Sequence, residues 1–110
     1  KNDKQFGPTI ILGAGGIYTE LFKETTTLLL PINKKMILDE LKKLKFSKIL
    51  FGFRGKKSGD LNALVNTILN IATFADKNCD KVSEVDINPL IVCKKGKGVF
   101  AVDASIHYFN

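Results

Sequence analysis

From Pro8 to Leu12 the residues are aliphatic or β-branched and run into Gly13-Ala14-Gly15-Gly16. That pattern predicts a buried strand closing in a glycine turn where backbones approach closely. Thr25, Thr26 and Thr27 followed by three leucines predict a second strand, since stiff β-branched side chains suit a pleated surface, and Pro31 ends it. Asn33 is placed to cap a helix in which Ile37, Leu38, Leu41 and Leu44 recur at spacings of three and four. Asp39 is positioned to pair with Lys43 on its wet side. An irregular stretch holding Gly52, Arg54, Gly55 and Gly59 follows. Asp60 then opens a stronger helix with an apolar stripe of Leu61, Leu64, Val65, Ile68, Ile71, Ala72 and Ala75. The chain ends in a hairpin: Ser83 to Val92, a Lys94 to Gly98 loop, and Val99 to Ile106. The order β, β, α, α, β, β predicts an α+β fold, a two-layer sandwich of a largely antiparallel sheet with two helices.

The hairpin carries the most informative chemistry. Strand side chains alternate between faces, so Glu84, Asp86 and Asn88 share one side while Val85 and Ile87 take the other. A loop centred on the Lys95-Gly96 bond makes the numbers of opposed residues sum to 191, which sets Asn88 across from Asp103. Their Cβ atoms then lie about 4.5–5.5 Å apart, a gap one cation can bridge with oxygens at about 2.0–2.1 Å. A slip of one residue would send Asp103 to the opposite face. Magnesium prefers one or two carboxylates with phosphate and water, and this face offers such an open site; a solvated polar strand face gives the same pattern.

Composition narrows the class. At 110 residues and 45% hydrophobic content the chain is one ordinary globular domain. No apolar run approaches the roughly 20 residues of a membrane span, and no signal-peptide core occurs. The chain does not begin with Met, so it is read as a piece of a longer polypeptide. Cys79 and Cys93 stand apart with no CxxC spacing, which argues against a zinc site or a disulfide framework and favours a reducing, cytoplasmic setting. Lysine plus arginine number 17 against 11 acidic residues, a net charge of +6 that suits an anionic partner. The lysines are spread as on solvated helix faces and hairpin tips, so a phosphate-bearing small molecule is favoured over nucleic acid.

These residues also carry a family resemblance. Asp3, Phe6-Gly7-Pro8, the run Gly13 to Glu20, Phe53-Arg54-Gly55, Asp60-Leu61, Glu84-Val85-Asp86-Ile87-Asn88-Pro89-Leu90 and Val102-Asp103-Ala104 keep the order and spacing of one pattern. The chain resembles the C-terminal part of the ATP-grasp domain of ADP-forming acyl-CoA synthetases, a family that includes acetate-CoA ligases and is similar to succinyl-CoA synthetase β subunits. The resemblance implies that residues 1–110 are the C-terminal lobe of such a domain, binding Mg2+ and ATP/ADP. It implies Asn88 and Asp103 as magnesium ligands and Asp86 as the carboxylate facing the phosphoryl-transfer zone, with Glu20 and Glu84 as further candidates. The N-terminal ATP-grasp lobe, the CoA-binding domains and the phosphorylated histidine would lie elsewhere in the enzyme, so the isolated piece is not expected to turn over. Arginines that family members often carry near the positions of Leu28 and Ser105 are missing here.

Other residues admit two readings each. Gly15 and Gly16 would let backbone N–H groups approach a phosphate, or simply form a turn; neither the GxGxxG nor the P-loop spacing is present. Arg54 would grip a phosphate in bidentate fashion, or make a surface salt bridge. His107, the only histidine, reads as an edge residue. Two rival functions share the pattern: a ligand-sensing synthetase-like region of a GNAT-type lysine acetyltransferase, and a basic α+β RNA-binding module. The second would need stacking aromatics where this chain sets carboxylates.

Overall fold

The computed structural model describes residues 1–14, 24–55 and 57–110. Strands β1 (Asn2–Asp3), β2 (Gly7–Gly13) and β3 (Thr25–Leu29) form an antiparallel sheet in that order. β2 pairs with β3 from Thr9↔Leu29 to Gly13↔Thr25, so the two predicted strands are partners. At the end of that ladder a Cβ on Gly13 would stand 3.0 Å from the Glu24 carbonyl, the close approach its glycine signalled. β1 was not foreseen, because two residues in the polar Asn-Asp pair carry no periodic signal. It exists by pairing with Pro8 and Gly7.

Helix α1 (Lys34–Lys43) is capped as expected, the Asn33 side chain accepting the Met36 N–H at 2.9 Å. The expected Asp39–Lys43 pair is not formed. Asp39 instead takes Lys35 at 2.9 Å, and Lys43 goes to Glu40 at 2.8 Å. Glu40 also accepts the Thr26 hydroxyl from β3, which holds its carboxylate toward the sheet and within reach of Lys43. A five-residue helix α2 (Ser47–Phe51) occupies part of the stretch expected to be irregular. It is too short for helical periodicity to register, and it is seated by Phe46, Leu50 and Phe51 packing on the core.

Helix α3 (Leu61–Lys77) begins at Asp60, whose Oδ1 accepts the Ala63 N–H at 3.1 Å. Its Leu64, Val65, Ile68 and Ala72 meet Ile37, Leu41 and Leu44 of the α1 region and Ile10 and Leu28 of the sheet in one cluster. This is the predicted helix layer on antiparallel strands, and the described residues hold three helices where two were expected.

The terminal hairpin is built as two successive ladders, β4 (Val82–Ile87) with β7 (Ala104–Tyr108) and β5 (Leu90–Val92) with β6 (Val99–Ala101). Pro89, which has no N–H to donate, marks the break. Pairing nonetheless carries across it, for the Asn88 N–H donates to the Asp103 carbonyl at 3.0 Å and the Val102 N–H to the Pro89 carbonyl at 3.0 Å.

Candidate functional site

The hairpin register is the one the loop chemistry predicts. Ile87↔Ala104, Asp86↔Ser105, Leu90↔Ala101 and Val92↔Val99 are Cα partners, every pair on the expected parity. Asn88 and Asp103 fall between these pairs and are joined by their own backbone hydrogen bond, so the two stand side by side on neighbouring chains. Both are exposed, as is Asp86 two residues before Asn88 and on the same face by strand alternation. Upstream of Glu84 the register shifts by one residue, a bulge that leaves the site end of the ladder undisturbed.

Register along a hairpin is set at its tip, and here the tip is tied to a helix. Gly96 and Gly98 adopt φ of +85° and +82°, which turns their N–H groups inward. Both donate to Asp60 Oδ2, at 3.1 and 2.8 Å, while Oδ1 caps α3. The N–H of Gly98 foremost, then those of Ala63 and Gly96, hold the Asp60 carboxyl below the ordinary carboxylate range. The backbone adds a further link, the Asp60 N–H donating to the Cys93 carbonyl at 2.7 Å. From sequence Asp60 reads only as a helix cap. Its second role had one available signal, two glycines at alternate loop positions whose N–H groups need an acceptor.

The other singled-out residues are distributed as follows. Asp86, Asn88 and Glu84 line a cavity of about 800 Å³ between β2 and β4, together with Gly13 and Ala14 of the glycine run. Gly15, Gly16 and Glu20 lie outside the described residues. Arg54 has φ +51° and its guanidinium sits 5.0 Å from the centroid of the Phe53 ring. Lys48 is equally close to that ring. Arg54 forms no salt bridge among the described residues, where the ion pairs are Lys35–Asp39 and Lys43–Glu40. His107 pairs opposite Glu84 in the exposed β7, and Cys79 and Cys93 are both free thiols.

The donor set suits magnesium. Among the described residues no group of three or more His, Cys, Asp or Glu is disposed to hold a metal, so a closed protein cage is not on offer. One amide and one carboxylate on paired backbone are the kinds of donor that magnesium accepts alongside phosphate and water oxygens. Nor is any described helix long and apolar enough to cross a membrane.

Residues 1–107 match the family model described as "ATP-grasp domain". The acetate–CoA ligase (ADP-forming) II subunit beta of Pyrococcus furiosus is 38% identical over 94% of this chain and 44% of its own length. The 4-hydroxybutyrate–CoA ligase (ADP-forming) of Nitrosopumilus maritimus is 37% identical over 96% of this chain and 15% of its own. Among solved structures, the dinucleotide forming acetyl-coenzyme A synthetase 1 of Candidatus Korarchaeum cryptofilum, in complex with coenzyme A and Mg-AMPPCP, superposes with a TM-score of 0.86. It is 32% identical, covering 98% of this chain and 49% of that one. The chain thus spans less than half the length of these relatives. With the match running through the glycine run, the Asp60 cap and the Glu84–Leu90 segment alike, the chain belongs to the ATP-grasp domain family.

Proposed function

We propose that this chain is the C-terminal lobe of the ATP-grasp domain of an ADP-forming acyl-CoA ligase, converting an acyl group, CoA and ATP to acyl-CoA, ADP and phosphate. The observation that carries the reading is the backbone pairing of Asn88 with Asp103, which sets an amide oxygen beside a carboxylate on one open strand pair. The names of the relatives supply the reaction class.

In this reading Asn88 and Asp103 would hold Mg2+, and the ion would supply positive charge to offset that of the phosphates. Asp86, on the same face, orients the transferring group from the strand below. Phosphoryl transfer leaves little covalent chemistry to the protein, so the contribution of these residues is fixed position and fixed charge. Gly15, Gly16, Glu20 and Arg54 belong to the nucleotide side of the site, with backbone N–H groups and a guanidinium as phosphate donors. An N-terminal ATP-grasp lobe and CoA-binding domains complete the enzyme, in the cytoplasm. The same lobe within an acetyltransferase, or an RNA-binding role, draws no support from the relatives, which are named as CoA ligases.

Titration with Mg-ADP, followed through the backbone amide signals of Asn88 and Asp103, tests the assignment. The expected outcome is saturable shifts at the strand break, and loss of Mg-dependent binding by about 10–100-fold or more when Asn88→Ala and Asp103→Ala are combined. Unchanged binding in that double variant would remove the two residues from the site.

A further inference from the structure

The polar face that carries Asn88 and Asp103 continues along the ladder away from the hairpin tip. Asp86 is the Cα partner of Ser105, and Glu84 that of His107. Residues opposed across an antiparallel pair share a face, so Glu84, Asp86 and Asn88 confront His107, Ser105 and Asp103 in one row. Toward the tip the row stops at once, for the next pair on that parity is Leu90 with Ala101. The two strands divide the chemistry unequally. Ionised Glu84 and Asp86 on β4 can only accept hydrogen bonds, and with Asp103 they make a face of three carboxylates that repels a phosphate. A terminal phosphate lying over Asp86 therefore needs hydrogen-bond donors beside it. Apart from the Asn88 amide, this row supplies them from the returning strand alone, at Ser105 and His107.

Those two side chains are already joined. Ser105 Oγ and His107 Nε2 stand 3.4 Å apart. Nε2 is the far nitrogen of the ring, so this contact lays the imidazole along β7 toward Asp103. Glu84, across the ladder, does not capture the ring: the ion pairs among the described residues are Lys35–Asp39 and Lys43–Glu40. At the β4 bulge the Ser83 hydroxyl donates to the His107 carbonyl at 3.1 Å, which fixes the backbone from which the imidazole reaches. The number of available protons does not depend on the tautomer. A neutral imidazole and a hydroxyl carry two protons between them and use one in their mutual bond. If Ser105 donates to Nε2, the Nδ1 proton is left over; if Nε2 donates to Oγ, the hydroxyl proton is. Either way one donor remains for an outside acceptor, and both residues are exposed.

We propose that Ser105 and His107 act together as the donor pair for the terminal phosphate of ATP, holding it opposite Asp86 and beside the metal that Asn88 and Asp103 would bind. The pair rests on the reading of this face as the phosphate side of an ATP-grasp site. It adds to that reading a basis for telling ATP from ADP, which lacks the group the pair would grip. Hydrogen bonds to a charged phosphate are the strong kind, so two donors at one phosphate give a measurable preference.

Calorimetry on the full-length parent, with a non-hydrolysable Mg-ATP analogue and with Mg-ADP, tests the pair. Ser105→Ala combined with His107→Ala is expected to weaken the ATP analogue by about 10-fold or more while Mg-ADP stays within about 2-fold. A merely structural role for β7 would weaken both nucleotides alike, so equal losses, or no loss of either, overturn the donor pair. Should that variant fail to fold, His107→Phe keeps the bulk of the ring without its nitrogens and carries the same comparison. There too, binding of the ATP analogue is expected to fall more than binding of Mg-ADP, and equal change overturns the pair. The Asn88→Ala, Asp103→Ala variant separates the two readings. Loss of magnesium-dependent binding there, together with an ATP-selective loss in the Ser105, His107 variant, supports both. The first loss without the second sinks the donor pair alone, the second without the first sinks the metal assignment alone, and indifference in both variants sinks both.

Discussion

The helical half and the hairpin arm of this chain are built on opposite economies of surface. In the first, Ile37 is 0% exposed, Val65 2% and Leu44 2%, and every element contributes to one cluster. In the second, each residue from Phe100 to Asn110 is exposed, Phe100 at 59% and Tyr108 at 67% among them. The returning end of the hairpin leaves its side chains in the open and carries Asp103, while Leu90, Val92 and Val99 nearer the tip still pack on the core. The proposed ligands Asn88 and Asp103 are both exposed, as a metal site open to water and phosphate requires.

Substitutions can break this contrast at either end. The largest effect is expected in the helical half, where Ile37→Ala opens a cavity at a fully enclosed position and costs about 2–5 kcal/mol by urea denaturation. Phe100→Ala on the arm is expected to stay within about 0.5 kcal/mol in the same measurement, despite removing a larger side chain. A comparable loss at both positions would mean that the arm is as much core as the helices are.

Asp60 is where the two halves meet, and Asp60→Asn tests the joint. The substitution keeps the shape but removes the charge that accepts from Gly96, Gly98 and Ala63, so the denaturation midpoint is expected to fall at neutral pH. Because the folded carboxyl sits below its ordinary value, its stabilisation is complete above the ordinary carboxylate range and is lost as pH falls through the folded value. The wild-type chain should therefore lose stability on acidification more steeply than Asp60→Asn, and parallel pH profiles would remove Asp60 from that role. A smaller effect is expected at the other cap: Asn33→Ala deletes a single bond to Met36 and costs about 1 kcal/mol, with the hairpin amide signals unmoved. Movement there would show that α1 also reaches the arm.

Much of this architecture is legible before any coordinates. Asn33 and Asp60 announce two helix starts, the Leu and Ile spacings give their buried faces, and the lysine-glycine loop yields the parity that pairs Asn88 with Asp103. All of these are local: a cap, a stripe and a turn are each specified within a few residues of chain. The family pattern is legible for the same reason, since its densest run, Glu84 to Leu90, is a single short segment.

Tertiary structure decided what depends on distant partners. Strand β1 and helix α2 are too short to hold together alone and form because β2 and the core receive them. Asp39 turned to Lys35 because Glu40, engaged by Thr26 from another element, had taken Lys43. Asp60 spans from a helix start to a loop more than thirty residues on, a closure that no local propensity encodes. The chain by itself thus specified its elements and the pairing of its hairpin, through hydrogen bonds and periodicities between near neighbours. Which carboxylate meets which cation, and what anchors the hairpin tip, were settled only when packing brought remote segments within hydrogen-bond reach.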